Sequence, residues 1–249
     1  MWILSIETTG PQCSVALIDE KGATTEMLSE GTLNHLQNLI PMTETLLSNS
    51  RLQIDDISAV AASCGPGSFT GIRIGVATAR ALCQAAGKPA IAVPTLKSFA
   101  YHAENCGGII APILDARREQ VYGGAYLWKN GQISEQVAGG AYSFAEFLVL
   151  LKEACQKSGM QEICFFGDGC GPYGEAAADF CCENGINARI SGITQRASSV
   201  AKLARSMYQQ GMLLPYGKLM PEYMRKAEAE RKLEEKRKQT AGGKAENEG

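Results

Sequence analysis

The chain spells the same succession of elements twice, and that repetition limits the folds open to it more than any other feature. Residues 2–8 (WILSIET) read as a buried strand and 13–18 (CSVALI) as a second, with Gly10-Pro11 turning between them. Asp19 to Gly22 form a turn, and 23–28 return as a third strand. From Leu33 a helical stripe runs through Leu36, Leu39, Ile40, Thr43, Leu46 and Leu47 in spite of Pro41. Residues 57–63 make a short strand that enters a glycine-rich loop. Ser68 or Thr70 then caps a helix bearing Ile72, Val76, Ala79, Cys83 and Ala86, closed by Gly87. Residues 89–93 are a strand and 95–105 a further helix. The pattern restarts with a strand at 109–115. Next, 119–128 and 132–138 flank Lys129-Asn130-Gly131, a strong hairpin signal. Helices are expected at 144–157, 173–184 and 198–210, and strands at 162–167 and 187–190. The order β-β-β-α-β-α-β-α thus recurs with an offset of about 108 residues, and the two leading strands end in Glu7 and Asp115.

Three hairpin-linked strands followed by alternating helices and strands give a mixed sheet, because hairpins are antiparallel and crossovers parallel. Two such units in tandem are the layout of the actin, sugar-kinase and heat-shock ATPase superfamily, built on ribonuclease H-like domains. The expected class is therefore α/β, with units at 1–105 and 106–215 in a chain of 249 residues. The segment 216–249 differs. Residues 226–238 (KAEAERKLEEKRK) are helix formers with i,i+4 charge pairs and one strongly apolar residue, Leu233, so a solvated helix to about 238 followed by a disordered end is expected.

Architecture alone assigns no activity, and composition narrows it. Lys+Arg 24 against Asp+Glu 26 gives a net charge of −2, whereas a chain that grips a phosphate backbone by itself carries a basic excess. Two histidines leave little for histidine-based metal or acid–base chemistry. Nine cysteines, scattered without a Cys-x-x-Cys, read as reduced thiols acting as small hydrophobes, with no metal site among them. The first residues carry no basic leader and no stretch has the apolar length of a membrane span, so a cytoplasmic chain without membrane contact is expected.

The sharpest local feature is Cys64-Gly-Pro-Gly-Ser-Phe-Thr-Gly-Ile-Arg-Ile-Gly75. Backbone N–H groups at such a helix start attract anions. However, no Gly-Lys-Ser/Thr follows, and glycines at 65, 67, 71 and 75 do not have the dinucleotide spacing. Phosphate cradle and structural turn both remain open, as does a third reading in which Phe69, Ile72 and Ile74 partly face another protein. Glu7 and Asp115 are candidate nucleotide- or water-placing acids, or strand-end carboxylates satisfied by nearby N–H groups. His35, beside Leu36 and Leu39, and His102 read as packed histidines. Nothing forms a Gly-x-Ser-x-Gly elbow, and no catalytic residue is assigned.

Several segments together resemble one family. ILSIETTGPQCSVAL, NHLQNLIPMTETLL, GPGSFTGIRIGVATARAL followed by AVPTL, ILDARREQVYGGAY, FGDGC and PEYMRKAEAERKL are similar, in this order, to the threonylcarbamoyladenosine biosynthesis protein TsaB (YeaZ) family, over roughly residues 1–233. The resemblance implies a non-catalytic relative of TsaD, whose metal site uses His-x-x-x-His. The corresponding stretch here, Thr95-Leu96-Lys97-Ser98-Phe99, has no histidine. It further implies binding to TsaD and, with the ATPase TsaE, support for transfer of threonylcarbamoyl to N6 of adenosine 37 in tRNAs reading ANN codons. The resemblance also implies a homodimer when TsaD is absent, and tRNA contacted only through the complex. No cofactor of its own is implied, and ATP or ADP at the shared interface is left open. The family contact is carried by the two helices around His35–Leu47 and after Gly65–Gly75. That gives an implied interface of His35, Leu36, Leu39, Ile40, Thr43, Leu47, Ser68, Phe69, Thr70, Arg73 and Ile74, with Phe69 and Arg73 as anchors. Two departures stand out: Glu7 replaces the family's usual aspartate, and the tail beyond about Leu233 aligns with nothing. An ATP-dependent small-molecule kinase of the same superfamily and a stand-alone peptidase are the alternatives.

Overall fold

A computed structural model of the chain describes residues 1–29, 35–103 and 106–224. The expected charged helix at 226–238 and the end that follows lie outside the described residues. Strand β1 (Trp2–Glu7) pairs antiparallel with β2 (Ser14–Asp19), in register from Trp2↔Asp19 to Glu7↔Ser14, and β2 pairs antiparallel with β3 (Thr24–Leu28). Helix α1 (His35–Asn49) leads to β4 (Ala59–Gly65), parallel to β1, and α2 (Phe69–Ala86) leads to β5 (Ala90–Pro94), parallel to β4. The sheet order is β3-β2-β1-β4-β5.

A short helix α3 (Thr95–Ser98) and a 3-10 turn over Phe99–His102 stand where the sequence predicts one helix across 95–105. The second sheet contains β6 (Ile109–Asp115), β7 (Gln120–Lys129), β8 (Gln132–Ser143), β9 (Glu162–Phe166) and β10 (Asn187–Ile190). Its order, β10-β9-β6-β7-β8, is the first sheet's order read from the opposite edge. Helix α4 (Phe144–Ser158) follows the third strand and α5 (Cys170–Glu183) the fourth, as α1 and α2 do. The duplication is therefore one of topology, and the class is α/β with two mixed sheets.

Both faces of each sheet are covered, so the central strands are continuous apolar runs rather than alternating ones. In the first sheet Leu4, Ile6, Val15, Leu17 and Val60 meet α1 and α2 through Leu39, Leu46, Ile72 and Val76. In the second, Ile109, Ile113, Val121 and Phe165 meet α4 and α5 through Phe147, Leu151, Ala177 and Cys181. The remaining faces are exchanged. Helix α6 (Ala197–Gln209), which follows β10, packs Val200, Ala201, Leu203 and Ala204 on Ile3, Ala16, Ala59 and Ile91 of the first sheet. Leu96, Phe99 and Ala100, which follow β5, pack on Ile110, Leu114, Tyr126 and Phe166 of the second. The stretch 106–215 is thus not one packing unit: its last helix serves the first sheet. Side chains of that sheet also hold the α6 N-terminus, since Ser14 Oγ accepts from Ala197 N–H at 2.8 Å and Glu26 Oε1 from Ser198 N–H at 2.9 Å. A carboxylate there is favoured by the helix dipole.

After α6 the chain runs back as a strap. Leu214 pairs with Ala90 and covers the β5 edge. Leu219 is fully buried in the α1–α2 side of the core, and Glu222 N–H donates to the Cys64 carbonyl at 2.7 Å. Cys106 and Cys164 are joined, against the expectation of reduced thiols throughout. No helix among the described residues is long and apolar enough to cross a membrane.

Candidate functional site

The glycine-rich loop brings the start of α2 against the turn after β1. Ser68 caps α2, its side chain accepting from Gly71 N–H at 3.2 Å, and Ser68 N–H donates to the Thr9 carbonyl at 2.8 Å. A Cβ at Gly71 would stand 1.9 Å from the Thr8 carbonyl oxygen, and one at Gly75 2.3 Å from Thr8 Oγ1. Spaced four apart, the two glycines leave one helix stripe bare, and Thr8 Oγ1 fills it by donating to the Gly71 carbonyl at 2.7 Å. Close packing thus accounts for both glycines without a ligand.

Beside this junction lies a cleft of about 450 Å³ between the two units. Thr9, Gly10, Gly67, Ser68 and Thr70 line one side, and Asp115, Arg117, Asp168 and Gln195 the other. Three buried polar atoms around Gly10 have no partner among the described residues: Thr9 Oγ1, His35 Nδ1 and Gln195 Oε1. His35 Nε2 sits 3.1 Å from the Gly10 carbonyl. This cluster is able to bind a small polar molecule or water. Gln195 was not foreseen, because it belongs to the crossover after β10 that only the exchange of α6 brings here.

The two strand-end acids have different surroundings. Glu7 is fully buried and does not line the cleft; Thr9 N–H and the Ser63 hydroxyl donate to its carboxylate. Burial pushes its pKa up, and the hydrogen bonds from Ser63 and Thr9 pull against that shift. Asp115 faces the cleft, accepts from Arg117 N–H at 2.8 Å and pairs with the Arg117 guanidinium at 3.1 Å. Arg117, Arg118 and Glu119 all have left-handed φ values of 63°, 54° and 56°, which curls the β6–β7 turn back over Asp115. Asp168 accepts from Asp115 N–H at 3.1 Å, and burial raises its pKa.

The implied interface residues divide into two groups. Leu36 is 73% exposed and Ile40 41%, one turn apart on α1. Ser68 and Thr70 are exposed at the cleft rim, and Ile74 is half-buried there. By contrast, His35, Leu39, Thr43 and Leu47 are buried, so they do not offer a surface. Leu39 and Leu47 belong to the core, and Thr43 Oγ1 bonds back to the Leu39 carbonyl at 2.8 Å. The apolar stripe that marks the helix is the stripe the fold itself uses. Phe69 and Arg73 already have a neighbour in the strap. Phe69 stacks on Tyr223 with centroids 4.8 Å apart, Arg73 lies 3.9 Å above Phe69, and its Nε–H donates to Tyr223 Oη at 2.7 Å. Tyr223, within the PEYMR motif, and Met220 (56% exposed) extend this surface.

Comparison with known proteins agrees with this architecture. A family profile described as "TsaD: tRNA N6-adenosine threonylcarbamoyltransferase" matches residues 29–233. The tRNA threonylcarbamoyladenosine biosynthesis protein TsaB of Bacillus subtilis is 32% identical over 96% of this chain and 100% of its own length. The protein of the same name from Escherichia coli is 30% identical over 94% of this chain and 98% of its own. Among solved structures, YeaZ from Pseudomonas aeruginosa superposes with a TM-score of 0.71 at 24% identity, covering 89% of this chain and 99% of that one.

Proposed function

The chain belongs to the TsaB family of tRNA threonylcarbamoyladenosine biosynthesis proteins, and from that premise we propose that it is a non-catalytic subunit that binds TsaD. Together with TsaE it would support transfer of threonylcarbamoyl to N6 of adenosine 37 in tRNAs reading ANN codons, in the cytoplasm. In this reading it holds no cofactor of its own, ATP or ADP belongs to the interface it shares, and tRNA is held by the assembled complex. Without TsaD the same face pairs two copies of the chain.

The observation that carries the reading is the apolar face of the first unit. Leu36 is the most exposed large hydrophobic among the described residues, and Ile40 continues it by one turn. On α2 and the strap, Phe69, Arg73 and Tyr223 form an aromatic–guanidinium cluster of the kind that anchors protein contacts. The kinase alternative calls for a strand-end acid in each half facing a metal-bound nucleotide. Glu7 is instead turned inward onto Thr9 and Ser63, which speaks against it.

Pull-down with TsaD tests the assignment. Leu36→Glu and Ile40→Glu each place a charge in the contact centre, with an expected loss of about 2 kcal/mol, roughly thirtyfold in Kd. Because both positions face solvent in the free chain, the melting temperature is expected to stay near that of the parent. Undiminished binding by both variants rules out this face.

A further inference from the structure

A second cavity, of about 400 Å³, is lined by Cys106 and Cys164 together with Tyr101, His102, Arg189 and Lys202. Cys106 follows the 3-10 turn that closes the first unit, and Cys164 is the third residue of β9, 58 positions later. Their sulfurs are bonded, while their Cα atoms, 7.2 Å apart, stand beyond the usual span of a disulfide. That backbone spacing suits the dithiol, and closing the bond draws the two segments together. Cys106 is half-buried and opens to the cavity; Cys164 is 1% exposed beneath it.

The surroundings favour an anionic reactant. Arg189 and Lys202 bring positive charge to the wall; Glu162, whose Oε1 lies 3.4 Å from Cys164 Sγ, is itself paired with Arg189 at 3.2 Å. His102 has a buried Nε2 without a partner among the described residues. Its pKa is lowered to about 4, chiefly by burial and also by Arg196 and Lys202, so it is neutral at pH 7. The other cysteines offer no comparable chemistry: burial pushes the Cys64 thiol up to about 12 and those of Cys83, Cys170 and Cys181 up to about 11. Cys182 is exposed but has no second thiol bonded to it.

We propose that Cys106 and Cys164 form a thiol–disulfide exchange site for a small disulfide that bears carboxylates, of the glutathione disulfide class. The site is independent of the partner-binding face. In the dithiol state the Cys106 thiolate attacks one sulfur of the small disulfide. That S–S bond breaks, one half leaves as a thiolate, and the other remains on Cys106 as a mixed disulfide. Cys164, as its thiolate, attacks Cys106 Sγ, and the second half leaves as a thiolate. In sum, two protein thiols give up two electrons and two protons, and the small disulfide takes up both to become two thiols. The order follows from access, since Cys106 is half-buried at the cavity whereas Cys164 is 1% exposed beneath it.

The test uses the full chain, first reduced, then equilibrated with glutathione and glutathione disulfide at varied ratios, and read by peptide mass mapping after thiol alkylation. The parent chain is expected to show a Cys106–Cys164 link and to retain no glutathione on either residue. Cys164→Ser is expected to trap a glutathionyl adduct on Cys106 that forms faster than the adduct on Cys182, and Cys106→Ser to leave Cys164 unmodified. Replacing Arg189 and Lys202 together by glutamine should slow linking by glutathione disulfide on the order of tenfold and leave linking by neutral hydroxyethyl disulfide unchanged. Absence of the link in the parent at every ratio would overturn the exchange site, and this arm needs no substitution. An adduct on Cys106 no faster than that on Cys182, or equal slowing with both reagents, would overturn the selectivity assigned to the cavity.

Discussion

Single atoms decide what the glycine loop is for. At Gly71 the neighbouring Thr8 carbonyl oxygen leaves no room for a methyl group, and that oxygen is backbone, unable to rotate away. Gly71→Ala is therefore expected to cost about 1–3 kcal/mol in urea unfolding, the range of overpacking. Gly107→Ala, with open space around it, is expected to stay within about 0.5 kcal/mol. Equal stability of the two variants would return the loop to the phosphate-cradle reading. The glycine spacing was plain in the sequence, yet its purpose was open, because Thr8 meets Gly71 only after the chain folds back across more than sixty positions. The same holds for α1. Periodicity showed that Leu39, Leu46 and Leu47 share a stripe but not what covers it. Exposure assigns that stripe to the core and leaves Leu36 and Ile40, displaced around the helix, as the free surface.

At the scale of elements, signals that act within a few residues were legible. Ser68 caps α2 and Gly87 ends it in the left-handed region, while Asn130 and Gly131 turn the β7–β8 hairpin with φ of 53° and 73°. The short α3 was not, since Thr95–His102 is a buried connector whose apolar content mimics an amphipathic helix. Nor was the destination of α6: amphipathicity states that one face is buried, not against which sheet. The strap is a long-range element of the same kind. Tyr223→Ala removes a stacked ring and a hydrogen bond to Arg73. It is expected to cost about 1–2 kcal/mol and to speed amide hydrogen exchange at Glu222, whose N–H is held by the Cys64 carbonyl. Exchange at Glu222 unchanged by the substitution would show that the strap is held without Tyr223.

The whole molecule is two copies of one strand order that trade their last helices, so neither sheet has a complete covering without the other. The recurrence of elements was readable because helix and strand periods are local; the exchange was not, because it is a property of packing between units. The fold leaves one buried acid at the end of β1, a polar cleft, and an apolar face on α1 and α2 on which the proposed supporting role rests. The net charge of −2 is part of the reason for proposing that partners hold the tRNA. Reconstitution of tRNA threonylcarbamoylation from TsaD, TsaE and the threonylcarbamoyl adenylate, with and without this chain, tests that claim most directly. Product is expected to form only when the chain is present, and product formed equally well in its absence would contradict the account.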